Sequence, residues 1–394
     1  MSLWKECKGF QEEIVKTRRD LHQIPELGGD LPKTKKYVIG KLKEFGIPYT
    51  ENKSDDGIIA NIEGGKPGKT IALRADMDGL PIKELNDVDY ISKNEGCMHA
   101  CGHDTHTAML LWAAKVINDN KEKLNGNVRL IFQTDEESCF GAKRMVKEGS
   151  MENVDAVFGT HIGTILSKDI PTGTVICCPG CVMASFDKFI IRVKGEGCHG
   201  SAPEKGVDPI NIASHIAINL QEVIAREIPA TKPAVLTIGH MEMGNAYNAI
   251  PTDAFIEGTI RALEEDVRQH MVKRIGEISE LTAKTFRGSA ELEMVWGAPP
   301  VINDVDMAKL ASDCAKEIVG EEKVIDHVEA PNMGGEDFAY YLGKAPGAFM
   351  FLSSSNPAKH TDVSHHNAHF NVDEDVLWIG SAVFVNIIEK LLMK

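Results

Sequence analysis

The side chains best equipped for chemistry are Cys101 and His103, the adjacent carboxylates Glu136 and Glu137, and the imidazoles of His161 and His366. Together they offer sulfur, nitrogen and oxygen donors, a mixture that a first-row divalent metal accepts. A carboxylate beside a ligand carboxylate also suits a base that takes a proton from an acidified water. The chemistry to expect is metal-assisted hydrolysis.

Taken singly, none of these residues would carry that reading. A lone Cys-x-His pair is more often buried structure than a ligand pair, an acidic dipeptide is more often a solvated turn, and a histidine at a strand end is usually structural. Of His365, His366 and His369, in the loop before the last helix, at most one or two can be ligands. The balance shifts because all of them fall at strand ends or loops of one predicted sheet, where the sites of open α/β folds gather.

A scaffold must bring these residues together. Phe10, Ile14, Val15 and Leu21 fall at helical spacing and predict a helix over 10–28; a second is predicted over 33–45, closed by Gly46 and Pro48. The runs 58–62 and 70–74 read as adjacent strands, joined by a hairpin turn through Gly64, Gly65 and Gly68. Then come a buried helix over 104–118, a strand over 127–132, a short helix over 142–148 and a buried strand over 156–161. Strands alternating with helices indicate an α/β sheet with covered faces.

Near residue 184 the pattern changes. Residues 186–193 alternate apolar and charged, as a strand with one exposed face does. A helix over 209–225, strands over 234–241 and 254–261, a helix over 264–286 and a strand over 290–296 follow. This β-α-β-β-α-β order is that of a ferredoxin-like sandwich. Beyond Pro300 the helix–strand alternation returns and closes with a helix over 374–392. The architecture expected is a discontinuous α/β domain, 1–183 and 298–394, with a smaller α+β domain, 184–297, inserted into it.

Composition excludes several other functions. The chain has 394 residues, enough for a large core in two domains, and a formal net charge of -15 with no basic patch, which argues against a nucleic-acid partner. No apolar run approaches the roughly 20 residues that span a bilayer. The start, MSLWKECKGFQEEIVKTRRD, carries charges throughout and is not expected to be a signal peptide. Nine scattered cysteines do not form a disulfide framework, so a reducing cytoplasm is the expected setting. Cys178 and Cys181 form a Cys-x-x-Cys without a second pair nearby, which favours a hinge with incidental thiols over a zinc site. No Gly-x-Ser-x-Gly elbow supports a serine hydrolase.

A series of motifs runs through nearly the whole length: RRDLHQIPELG at 18–28, ALRADMDGLPI at 72–82, MHACGHDTHTAML at 98–110, FQTDEE at 132–137, GCHGSAP at 197–203, GNAYNAIP at 244–251, GTIR at 258–261, GGEDFAYY at 334–341 and HHNAHF at 365–370. In this order the chain resembles the M20 metallopeptidases, in the amidohydrolase branch of hippurate hydrolases, N-acyl-amino-acid amidohydrolases and auxin-conjugate hydrolases. The resemblance implies a di-metal, phosphorylase/hydrolase-like α/β catalytic domain with a ferredoxin-like lid. It implies Cys101, His103, Glu137, His161 and His366 as ligands of two divalent ions (zinc, manganese, cobalt or nickel), with Cys101 bridging. Glu136 corresponds to the general base and Asp78 to the acid supporting the site, Asp76 being a second candidate. His199 matches a histidine that steadies oxyanion charge, in some relatives from a partner subunit; Asn248 and Arg261 are the residues that would grip a substrate carboxylate. The expected substrate is a small N-acyl amino acid and the expected assembly a homodimer. A dipeptidase or carboxypeptidase, or a non-catalytic metal-binding protein of the same fold, are the alternatives. Thr134-Asp135 stands where the family usually has Pro-Ala, and Gly200-Ser201-Ala202-Pro203-Glu204 replaces its usual sequence after the lid histidine.

Overall fold

A computed structural model describes residues 2–328 and 331–393. The chain divides into two compact units, Met1–Val182 with Val301–Asn332 and Asp337–Lys394, and Met183–Pro300 with Met333–Glu336.

The larger unit is built on a mixed sheet of eight strands. Their order is Tyr49–Glu51, Ile58–Glu63, Asn125–Gln133, Lys66–Asp76, Ala156–Gly163, Gly347–Ser353, Val175–Ile176 and Val324–Ile325. The four central strands run parallel to one another. Ala156–Gly163 and Gly347–Ser353 are buried at every position, as strands covered on both faces must be, and both are correspondingly apolar. Ile58–Glu63, nearer the edge, buries alternate residues.

Helix His103–Asp119 is enclosed along almost its whole length: its middle, residues 108–117, is apolar on nearly every face, and its first turns, residues 103–107, are buried although polar. It packs against the closing helix Leu377–Leu392 so closely that a Cβ on Gly380 would lie 2.2 Å from Met109 Sδ. Ser381 Oγ–H donates to Met109 O across the same contact.

The runs read as an adjacent strand pair are not neighbours. Asn125–Gln133 lies between Ile58–Glu63 and Lys66–Asp76, antiparallel to the first and parallel to the second. The glycines at 64 and 68 serve this crossing rather than a hairpin. A Cβ on Gly64 would sit 2.2 Å from Gly126 O, and one on Gly68 2.1 Å from Asn125 O. The first helical stretch also differs: Leu3–Phe10 is a tight 3-10 turn, and the α-helix Gln11–His22 stops ahead of Pro25.

The smaller unit has strands Asp187–Lys194, Ala234–Met243, Asp253–Ala262 and Ser289–Trp296 with helices Pro209–Asn219 and Glu265–Thr285. The sheet order, Ala234–Met243, Asp253–Ala262, Asp187–Lys194, Ser289–Trp296, with every neighbour antiparallel, is that of a ferredoxin-like sandwich. Phe189, Ile191, Val193 and Ile256 of the sheet pack with Ile212, Ile216, Met271 and Ile275 of the helices. The predicted helix over 209–225 is interrupted: Pro209–Asn219 ends and a π-turn, Val223–Glu227, follows. Among the described residues no helix is long and apolar enough to cross a membrane.

Candidate metal centre

The site lies beyond the carboxyl ends of the parallel strands, where open α/β sheets place their chemistry. Lys66–Asp76 delivers Asp76 and Asp78, Asn125–Gln133 delivers Glu136 and Glu137, and Ala156–Gly163 carries His161 near its end. Gly102, at φ 91°, turns the chain into helix His103–Asp119, so Cys101 and His103 flank a left-handed residue that favours glycine.

Cys101, His103 and His161 offer ligand atoms within 4.8 Å of one another, and so do Cys101, Glu137 and His366. The two triads share Cys101. Its sulfur lies 3.3 Å from His161 Nε2. His161 Nδ1–H donates to its neighbour's carbonyl, Ile162 O, at 2.8 Å, which leaves Nε2 as the lone-pair nitrogen facing the sulfur. On the other side His366 Nε2 is 3.3 Å from Glu137 Oε2. His366 is a non-glycine residue at φ 59°, and its N–H donates to Ala100 O, tying its loop to the residue beside Cys101. Neighbouring His365 instead turns inward and donates from Nε2 to Ile162 O.

Asp78 organises the two glutamates. Its Oδ1 accepts the N–H of Glu136 at 3.1 Å and its Oδ2 that of Glu137 at 3.2 Å, while Oδ1 is also 3.3 Å from His103 Nδ1. His103 Nε2 lies 3.9 Å from both Glu136 Oε2 and Glu137 Oε1. Glu136 is 6% exposed and enters neither triad that contains Cys101. Asp76, the second acid considered, serves elsewhere: Oδ1 accepts from His106 Nδ1 at 2.6 Å and Oδ2 from Arg74 Nη1 at 2.6 Å.

The donor set fits divalent cations. Among the described residues, His103 Nε2 and Glu137 Oε1 are buried without a hydrogen-bond partner, as atoms reserved for an ion would be. Burial opposes a charge on His103, yet Asp76, Asp78 and Glu137 outweigh it and lift its pKa to about 10, a sign of surplus negative charge. Burial also pushes the Asp78 carboxyl up. It works against Glu137 as well, but His366 and His103 hold that carboxyl below its ordinary value. His161 is driven well down by burial and by His106, so it is a neutral imidazole, the form that binds metals.

Residues 72–390 match peptidase family M20/M25/M40. The chain belongs to this family. Thermostable carboxypeptidase 2 of Saccharolobus solfataricus is 39% identical over 383 residues, 96% of this chain and 95% of the relative. N-acetyl-L-cysteine deacetylase of Bacillus subtilis is 37% identical over 383 residues, 97% of this chain and 89% of the relative. Among solved structures, the Bacillus subtilis YXEP protein, a dinuclear metal binding peptidase of family M20, aligns with a TM-score of 0.83 at 33% identity, covering 98% of this chain and 99% of that one.

This M20 hydrolase gathers Asp78, Cys101, His103, Glu136, Glu137, His161 and His366 in its larger unit. The other residues singled out in the sequence lie in the smaller one. His199 is exposed, and its short strand pairs with Ala249–Ile250, so Asn248 is close by: Gly200 N–H donates to Asn248 O at 2.8 Å. Ser201 N–H donates to His199 Nδ1 at 3.1 Å, which puts the proton of the neutral ring on Nε2. Arg261 lays its guanidinium over Phe186, 4.2 Å from the ring centroid.

A buried polar layer behind the M20 site was not read from the sequence. Arg74 joins Asp76 to Asp337 and Gln133, and Tyr341 O–H donates to Gln133 Oε1. Asp337 and Tyr341 fall within the GGEDFAYY motif and His106 within CGHDTH, so position in a motif was the one signal that marked them.

Proposed function

We propose that this chain is a metal-dependent amidohydrolase that cleaves the amide bond of N-acyl amino acids or related small amino-acid conjugates. The observation that carries the reading is the pair of donor triads sharing Cys101, with a second glutamate, Glu136, beside them. Cys101, His103 and His161 would hold one ion and Cys101, Glu137 and His366 the other. Ions bound there would supply Lewis acidity for the scissile carbonyl and acidify a water toward neutrality. Glu136 takes the proton of the attacking water and passes it to the leaving amine. Asp78 fixes the backbone of both glutamates, so the base and the ligand keep their separate places. His199, with Nε2–H available as a donor, steadies the oxyanion, and Asn248 and Arg261 hold the substrate's carboxylate. The unit that carries these last three residues acts as lid and as the surface through which two copies pair.

The name of the deacetylase relative supports the N-acyl reading. The equally similar carboxypeptidase supports a second one, cleavage of a C-terminal residue or a dipeptide. A silent metal-binding protein of this fold would have no use for Glu136. Exhaustive chelation is expected to abolish hydrolysis, and zinc, manganese, cobalt or nickel to restore it. Full activity in protein shown by elemental analysis to be metal-free overturns the proposal. With metal restored, a panel of N-acetyl amino acids against unblocked dipeptides and N-blocked peptides decides between the two substrates.

A further inference from the structure

The two polar backbone groups of Ile162 are both occupied by histidine side chains. Its N–H donates to His106 Nε2 at 2.8 Å. Its carbonyl accepts from His161 Nδ1 at 2.8 Å and from His365 Nε2 at 2.9 Å. Because a backbone N–H can only donate, His106 Nε2 is an acceptor and the ring proton sits on Nδ1, which donates to Asp76 Oδ1 at 2.6 Å. Asp76 is itself anchored by Arg74. Both nitrogens of His106 are thus spent, and it is no ligand although it lies within range of His103 and Asp76.

His365 is held as firmly. Its ring lies against His161, 5.1 Å between centroids, and against Phe370 at 4.8 Å. It also crosses Gly163, where φ is 121° and a Cβ would fall 2.2 Å from His365 Nε2. Any side chain at 163 would evict it.

We propose that His106 and His365 are positioning residues that act through Ile162 to fix the ring of His161, and so set the affinity of one of the two ion positions. The inference rests on the metal reading above. The chain Arg74–Asp76–His106–Ile162 holds the strand end that bears His161. The carbonyl of Ile162 then selects the tautomer whose Nε2 faces Cys101. The chain from Arg74 to Ile162 ends at His161, a member of the first triad, so the His106 variants bear on that position; His365 adjoins His366 in sequence and so borders the second position as well. Partners behind metal-bound histidines typically contribute about 10–100-fold in affinity.

The test uses the full chain and zinc alone, titrated against a chromophoric chelator, with ion stoichiometry by elemental analysis. Two variants separate the two nitrogens of His106. His106→Gln can place an amide oxygen where Nε2 accepts the Ile162 N–H, whereas His106→Asn can only keep the bond to Asp76. The asparagine variant is expected to bind one ion as wild type does and the other about 10–100-fold more weakly. The glutamine variant is expected to recover most of the loss. Equal behaviour of the two variants, or weakening of both ions alike, overturns the proposal. If His106→Asn does not fold, His365→Phe keeps a ring against Phe370 but removes one donor to Ile162 O. It is expected to weaken binding of at least one ion by about 10-fold, and unchanged binding overturns the proposal equally. A wild-type chain that binds no zinc would instead bring down the functional reading itself, and this inference with it.

Discussion

Glu136 and Glu137 are identical in chemistry and adjacent in sequence, yet their surroundings divide them. Asp78 accepts the N–H of each through a different oxygen, and Glu137 then meets His366 at 3.3 Å. On the reading proposed, Glu136→Gln removes a proton acceptor and no ligand. It is expected to keep its metal content while kcat falls by about 10²–10⁴-fold. Loss of the ions in that variant would mean that the two glutamates have exchanged roles. At this scale the sequence was legible only in sum: Cys101 with His103 would have read as buried structure alone, and their place among other donors at the ends of one sheet's strands singled them out. It was silent on His106. A second histidine three residues on offers two nitrogens, and only the fold shows that Asp76 and Ile162 have claimed both.

Elements are held in place by buried charge as well as by apolar packing. Asp104, in the first turn of helix His103–Asp119, accepts from His22 Nδ1 at 2.7 Å and pairs with Arg18 Nε at 2.9 Å, joining that helix to Gln11–His22. Burial opposes its charge, but Arg18 and His22 hold the carboxyl well below the usual range. A depressed folded pKa means that the unfolded chain binds the proton more readily. The stabilisation is therefore complete above the ordinary carboxylate value of about 4 and drains away as pH falls below it. Asp104→Asn is expected to cost about 3 kcal/mol at pH 7. Urea midpoints measured with chelator present should show that gap narrowing by about 1.4 kcal/mol per pH unit below pH 4. A gap independent of pH would deny the ion pair its role.

Glycines at the strand crossing make a second element-scale test. Gly68→Ala would press a Cβ to 2.1 Å from Asn125 O and is expected to destabilise by about 3 kcal/mol. Gly40→Ala, inside helix Pro32–Glu44 with nothing within 4 Å, should instead stabilise by up to about 1 kcal/mol. Thermal or urea melts of the pair check both signs. Helices with a clear apolar period were readable from sequence, and so was the β-α-β-β-α-β order of the smaller unit. The neighbour relation of Ile58–Glu63 and Lys66–Asp76 was not, because alternation reports a strand's faces and never which strand lies along its edge.

For the molecule as a whole, the proposed pairing of two copies has a direct consequence if His199 serves the partner's site. His199→Ala and Glu136→Gln protomers, each nearly inactive, should regain part of the activity on mixing, since one site of the mixed pair then holds both groups. Sedimentation of a fully active single copy would rule this out. The order of strands in the large sheet bears on how the chain is made. Ile58–Glu63 and Lys66–Asp76 leave the ribosome before the strand that separates them, which ends only at Gln133. At synthesis rates of about 5–20 residues per second, those facing edges wait roughly 3 to 11 s for their partner. During that interval each is an open template for pairing with another nascent chain. Newly made protein, rather than the finished enzyme, is therefore where chaperone dependence and inclusion-body formation should concentrate, and slower translation across residues 77–124 should worsen both.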